Sequence, residues 1–104
     1  MAQFDVYLND NADTSEIYPY LLDVQSNALS SVPTRTVIPL ARASYFKKVV
    51  TILNPKVKID QVEVIVSTAQ LASVDARILG ARVGTLRDVR DEIVAAIDLL
   101  ISVG

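Results

Sequence analysis

Four arginines, Arg77, Arg82, Arg87 and Arg90, crowd the approach to the C-terminus and are the side chains best suited to chemistry. A guanidinium grips phosphate oxygens through a planar fork of N–H donors, so the group reads as a source of phosphate contacts. Nothing recognisable stands beside it to move a proton. The sequence has no histidine and no cysteine, which removes imidazole bases, thiolate nucleophiles, disulfides and the usual zinc ligands together. Its Asp and Glu residues are scattered singly until Asp88, Asp91 and Glu92, and they form no metal-ligand spacing. Gly80-Ala81-Arg82-Val83-Gly84 has two glycines but neither the lysine nor the spacing of a phosphate-binding loop, and reads as a turn. These residues predict no catalytic group, no bound metal and no cofactor.

A net charge of −2 and a pI near 4.9 oppose broad electrostatic attachment to nucleic acid, which needs a concentrated positive surface. A protein partner fits better. At 104 residues the chain is long enough for one modest core, and we expect a single domain over residues 1–104. Its apolar stretches fall far short of the roughly 20 residues a membrane span needs, and Met1-Ala2-Gln3-Phe4-Asp5 does not resemble a signal peptide. The expectation is a soluble cytoplasmic protein that does not engage a membrane.

The elements that must position any site are short. Phe4, Val6 and Leu8 alternate with Asp5, Tyr7 and Asn9, which predicts an opening strand with Phe4, Val6 and Leu8 inward. The acidic stretch from Asn9 to Glu16 reads as a mobile hairpin loop. A second strand is expected over Tyr18 to Gln25, with Tyr20, Leu22 and Val24 on one face and Asp23 pointing away from the core. A third runs from Thr34 to Leu40, where Pro39 removes a ladder donor and belongs at a strand end or sheet edge. Ala41 to Leu53 reads as a helical turn or irregular connection. The β-branched residues on either side of Asp60-Gln61 predict two strands around a tight turn, and Leu71 to Leu79 adds one more. Val89, Ile93, Ala96, Ile97 and Leu100 recur at helical spacing, with Thr85 as N-cap and Asp88 three residues on. Five or six strands followed by one helix imply a mostly β, α+β fold: an antiparallel sheet curled into a small barrel that the C-terminal helix partly covers.

Leu22-Asp23-Val24-Gln25-Ser26 and Val37-Ile38-Pro39-Leu40-Ala41, with Gln3-Phe4 and Val6-Tyr7 before them, resemble the CcdB family of toxins that poison DNA gyrase. The likeness continues through Leu53-Asn54-Pro55, Ala72-Ser73-Val74, Arg82-Val83-Gly84-Thr85-Leu86, Asp91-Glu92-Ile93 and Ala96-Ile97-Asp98-Leu99. The resemblance implies an SH3-like barrel that forms a two-fold homodimer with its C-terminal helices side by side. It also implies a wedge that traps gyrase on cleaved DNA through the gyrase A subunit, neutralised by a CcdA-like antitoxin. By position, the gyrase surface would be Ala28, Leu29, Asp98, Ile101, Ser102, Val103 and Gly104. The antitoxin surface would include Asn9, Asp10, Asn11, Arg42, Lys47 and Lys48, and Lys56 and Lys58 could also face acidic antitoxin residues.

Each of these residues also has a plain reading. Ala28, Leu29 and Ile101 are ordinary packing residues, Asp98 is a solvated helix residue, and the lysines form a charge cluster that favours solubility. The family's best-known member ends in Trp-Gly-Ile, whose indole can stack on an arginine of the target, whereas this chain ends in Ser102-Val103-Gly104. Two other functions follow from related premises. A chain lacking the aromatic anchor could serve as a non-toxic sink for antitoxin, and the barrel is shared with MazF- and Kid-type endoribonucleases, in which arginines and acidic groups cleave RNA.

Overall fold

The computed structural model describes residues 1–103. Its strands are β1 (Asp5–Asn9), β2 (Tyr20–Asp23), β3 (Thr34–Arg42), β4 (Lys56–Ile59), β5 (Val62–Val66), β6 (Ala72–Asp75) and β7 (Leu79–Thr85), and they precede helix α1 (Arg90–Ile101). All pairings are antiparallel, in the order β4-β5-β3-β2-β1-β7, with β6 added beside β3. The result is a mostly antiparallel half-barrel closed at one side by the helix, as the sequence predicts.

The curl originates in β3. One edge of β3 pairs with β2 throughout Val37–Leu40, while the other is split, Thr34–Val37 pairing with β6 and Leu40–Arg42 with β5. Pro39 sits at this exchange of partners and not at a strand end or sheet edge as the sequence predicts. No ladder donor is needed there, and its carbonyl accepts from the Ser67 amide at 3.0 Å.

The period of two sorts the side chains. Phe4, Val6, Leu22, Ile38, Leu40, Val57, Ile59, Val64, Val66, Leu86 and Ile93 form the core, with Tyr20, Val24, Leu71, Val83, Val89 and Ile97 packed at its margin. The opposite face of β1–β3 is buried as well, through Asp5, Tyr7, Leu21, Asp23, Arg35 and Val37. Asp23 therefore points away from the core, as predicted, yet it is fully buried against Arg35, whose Nη2 lies 2.6 Å from Asp23 Oδ2. Leu8, predicted to face inward, is exposed, because the core ends before the rim of β1.

Among the described residues, three other than glycine have positive φ. Asp60 (48°) and Gln61 (67°) form the tight β4–β5 turn, which needs left-handed backbone at both central positions. Phe4 (71°) is a bulky residue in the same region, held there because its amide donates to Asp23 O and its carbonyl accepts from the Leu86 amide at 2.8 Å. Burial of its ring in the core offsets the strain.

The Gly80–Gly84 segment is not a turn but most of β7, pairing with β1 across two register shifts. Alternation is weak there, since β7 is an edge strand with no fully buried residue. Gly80 is required by proximity: a Cβ at that position would lie 2.8 Å from the Leu8 carbonyl oxygen and 2.7 Å from Asp10 Oδ1. Thr85 does not cap α1 as the sequence predicts; it precedes Leu86, the residue that opens the 3-10 turn Arg87–Val89. The Thr85 hydroxyl oxygen accepts from the Arg87 amide at 3.3 Å, and the turn leads directly into α1.

Chemical denaturation checks how the helix and the buried ion pair support the fold. Ile93→Ala, at a fully buried position, is expected to cost about 2–5 kcal/mol, whereas Ile101→Ala, at a residue 67% exposed, changes stability by no more than about 0.5 kcal/mol. Arg35→Met strands a buried carboxylate and is expected to cost roughly 3–5 kcal/mol, most of it recovered when Asp23→Leu is added.

Candidate functional site

Helix α1 buries Ile93 and Ala96 and lays Ile97 against the core, and it leaves Val94, Asp98, Leu99, Leu100 and Ile101 exposed. A solvated helix end usually carries charge, but this one is apolar except for Asp98. Its last turn has no basic residue, so the Asp98 carboxylate stands unfavourably near the negative end of the helix dipole. The helix stops at Ser102, which turns extended and donates through its hydroxyl to the Leu99 carbonyl at 3.1 Å, satisfying one of the terminal acceptors. Ser102 and Val103 are exposed beyond it, and Gly104 lies outside the described residues.

The other two expected gyrase-contact residues, Ala28 and Leu29, occupy a single 3-10 turn, Asn27–Leu29, and both are exposed, Leu29 by 50%. The turn is anchored from several directions. Ser26 Oγ accepts from the Ala28 amide at 3.2 Å, Asn27 Oδ1 accepts from the Gln3 amide at 2.8 Å, and Gln25 Nε2 donates to the Leu29 carbonyl at 3.2 Å. Gln3 also reaches the Val24 carbonyl at 3.0 Å. Among the described residues, no hydrogen bond or ion pair joins this turn to the end of α1, so one chain presents two separate apolar projections.

The expected antitoxin residues divide differently. Asn9 is only partly exposed and organises its own loop, donating to Thr14 Oγ1 at 3.0 Å and the Tyr18 carbonyl at 2.8 Å while accepting from the Asn11 amide at 3.1 Å. Asp10 and Asn11 are exposed. Arg42 ties this loop to the segment after β3: its amide donates to the Ile17 carbonyl at 2.9 Å and its Nε to the Glu16 carbonyl at 2.6 Å. Tyr18, Tyr45 and Phe46 pack edge to face beside it, with centroids 5.7 and 5.6 Å apart. Burial and a hydrogen bond to Tyr45 push the Tyr18 phenol up from its ordinary pKa. Lys47 and Lys48 follow on the surface, and Lys56 and Lys58 point outward from β4.

Two of the four arginines are occupied by carboxylates. Arg77 binds Asp75 through Nε at 3.1 Å and Nη2 at 2.7 Å, and these hydrogen bonds hold the exposed Asp75 carboxyl down to about 2. Arg82 Nε lies 3.1 Å from Asp5 Oδ2, which raises the guanidinium pKa further. Arg87 and Arg90 stand exposed at the helix start. Among the described residues no group of three acidic side chains is arranged to hold a metal ion.

The family model described as CcdB protein matches residues 3–103. The chain belongs to the CcdB family. It is thereby a toxin of a toxin–antitoxin system. Among solved structures it is similar to a mycobacterial endoribonuclease in complex with its cognate antitoxin, with a TM-score of 0.77 and 13% identity over 100% of this chain and 97% of that one. A second mycobacterial endoribonuclease gives a TM-score of 0.78 and 13% identity over 99% and 92% of the respective chains. At that identity the likeness is one of fold. No curated protein matches the chain, and no described helix is long and apolar enough to cross a membrane.

Sequence reasoning missed the anchoring of the Asn27–Leu29 turn. Its signal was an Asp-x-Gln pair, Asp23 at the end of β2 and Gln25 two residues beyond it, set against an arginine of matching parity on β3, Arg35. A proton titration followed by NMR checks the arginine assignment: Asp75 is expected to titrate near about 2, and Arg77→Ala to return it toward 3.8. The depressed value means Asp75 stays ionised at every pH above that midpoint and gains its proton only as pH falls through it.

Proposed function

We propose that this CcdB-family chain acts without catalysis, as a two-fold homodimer that binds the DNA gyrase A subunit and traps gyrase on cleaved DNA. The observation that carries this reading is the pair of exposed apolar projections, Ala28-Leu29 and Ile101-Ser102-Val103 with Asp98, on a chain of this family. Neither projection contributes to the core. In a two-fold dimer each would be present twice, matching a two-fold target with one surface used in duplicate. Contacts of this kind need burial and complementarity, not a nucleophile, which suits a chain lacking histidine and cysteine.

An RNA-cleaving reading draws on the fold likeness to the mycobacterial endoribonucleases. Against it, Arg77 and Arg82 already satisfy carboxylates, and a carboxyl held near about 2 is a poor general base at neutral pH. Neutralisation by a CcdA-like antitoxin is supported by the first of those endoribonucleases, a protein of the same fold bound to its cognate antitoxin. We assign that contact to Asp10, Asn11, Arg42, Lys47 and Lys48, with Asn9 shaping the loop beneath it. The setting is the cytoplasm.

In a supercoiling assay with purified gyrase, ATP and plasmid, the chain is expected to block supercoiling and accumulate linear DNA at micromolar dimer. Intact supercoiling rejects the gyrase target. Expression in a sensitive host separates the readings: a DNA-damage response supports poisoning, RNA fragmentation supports nuclease action, and unimpaired growth supports an antitoxin sink. Ending the chain after Ile101 is expected to abolish poisoning while leaving the dimer intact.

A further inference from the structure

We infer that Gln25 is a positioning residue, a latch that transmits the rigidity of the buried Asp23–Arg35 pair to the exposed Ala28-Leu29 tip. The inference rests on that tip being part of the binding surface proposed above. A continuous run of hydrogen bonds connects the two. Arg35 donates to Asp23 Oδ2 through Nε at 2.9 Å and Nη2 at 2.6 Å, and the other carboxylate oxygen accepts from the Gln25 amide at 3.0 Å. The Gln25 side chain then divides its two functions. Its Oε1 accepts from the Thr36 amide on β3 at 2.9 Å, and its Nε2 donates to the Leu29 carbonyl at 3.2 Å.

Each partner of this run is where a latch requires it. Asp23, Gln25 and Arg35 are buried, and among the described residues no buried side-chain nitrogen or oxygen lacks a hydrogen-bond partner. Leu29, at the far end, is half exposed and buries nothing in the core. A buried ion pair is a poor source of stability, since hydrophobic residues of similar volume commonly replace it without loss. What this pair and Gln25 supply is a fixed conformation for a short turn that has no apolar anchor of its own. An apolar tip ordered before binding loses less conformational entropy on docking, and the benefit appears as affinity.

The test uses the full chain with Gln25→Glu, which keeps the acceptor for Thr36 and replaces the donor to Leu29 with an oxygen. Gln25→Leu, which removes both bonds, serves as a second variant. Backbone order parameters for residues 27–30 are expected to fall in both variants while those of β3 and α1 hold. Binding to the purified gyrase A subunit is expected to weaken about tenfold, and Leu29→Ala is expected to weaken the wild type but add little in the Gln25→Glu background. That non-additivity distinguishes a latch from general destabilisation, which would leave the two effects additive. Unchanged order parameters at residues 27–30, or additive losses, overturn the latch. If wild-type chain fails to bind the gyrase A subunit, the gyrase reading falls, and the order parameters alone then decide whether Gln25 holds the turn.

Discussion

One missing hydrogen organises this fold. Pro39 has no amide proton, and it lies where β3 exchanges β6 for β5 along one edge, so the gap in the ladder falls where no donor is called for. A flat sheet would keep one neighbour along the whole strand. Splitting the edge lets β4 and β5 swing to one side and β6 to the other, and the sheet bends around Leu22, Ile38, Leu40 and Val66 until α1 can cover the opening. The position of the helix end, and therefore of Asp98 and Ile101, follows from that bend.

The bend also explains why both faces of the central strands are buried. β6, hydrogen-bonded to the edge of β3, and the loop between β1 and β2 flank the outer face of β2 and β3. With Leu21, Val37 and Pro39 they line a pocket to which Asn9, Asn11 and Thr14 also contribute. Elsewhere on that face Asp5, Asp23, Gln25 and Arg35 are buried and must be paired. Pairing is achieved over short distances: Asp23 with Arg35 joins the consecutive strands β2 and β3, and Asp5 with Arg82 joins the two ends of the chain, β1 and β7. Those polar groups contribute specificity of arrangement more than net stability.

Much of this was legible in the sequence. Alternation revealed β1, β2 and β3, the β-branched run around Asp60-Gln61 revealed a hairpin, and the 3.6 period revealed the helix. What was obscured has physical causes. β7 carries two glycines and lacks a fully buried residue, so it shows neither β propensity nor alternation, and the need for Gly80 arises only from the close passage of Leu8 and Asp10. Asp23 faces the direction its parity requires, but parity does not say whether the outer face meets water or more chain. For the candidate site, the exposed helix end was readable as an apolar tail, whereas the anchoring of Leu29 depends on a glutamine whose partners come from three different segments.

In the proposed contact with gyrase, the two exposed projections would meet the partner differently. Leu29 sits on a turn held by Gln3, Gln25 and Ser26, so its backbone is fixed before contact. Val103 lies past the last helical hydrogen bond, after the extended Ser102, and has no described side-chain partner to hold it. Without an aromatic residue in the Ser102-Val103 ending, little rigid surface is available there, and small side chains recover little of the ordering cost. In the proposed gyrase contact, binding energy would therefore be weighted toward the preformed elements, Leu29 and the helical Ile101. The tail would then supply the reach and shape that trapping gyrase requires more than it supplies affinity, and under the proposed reading the strength of the contact depends on the rigidity of the Asn27–Leu29 turn.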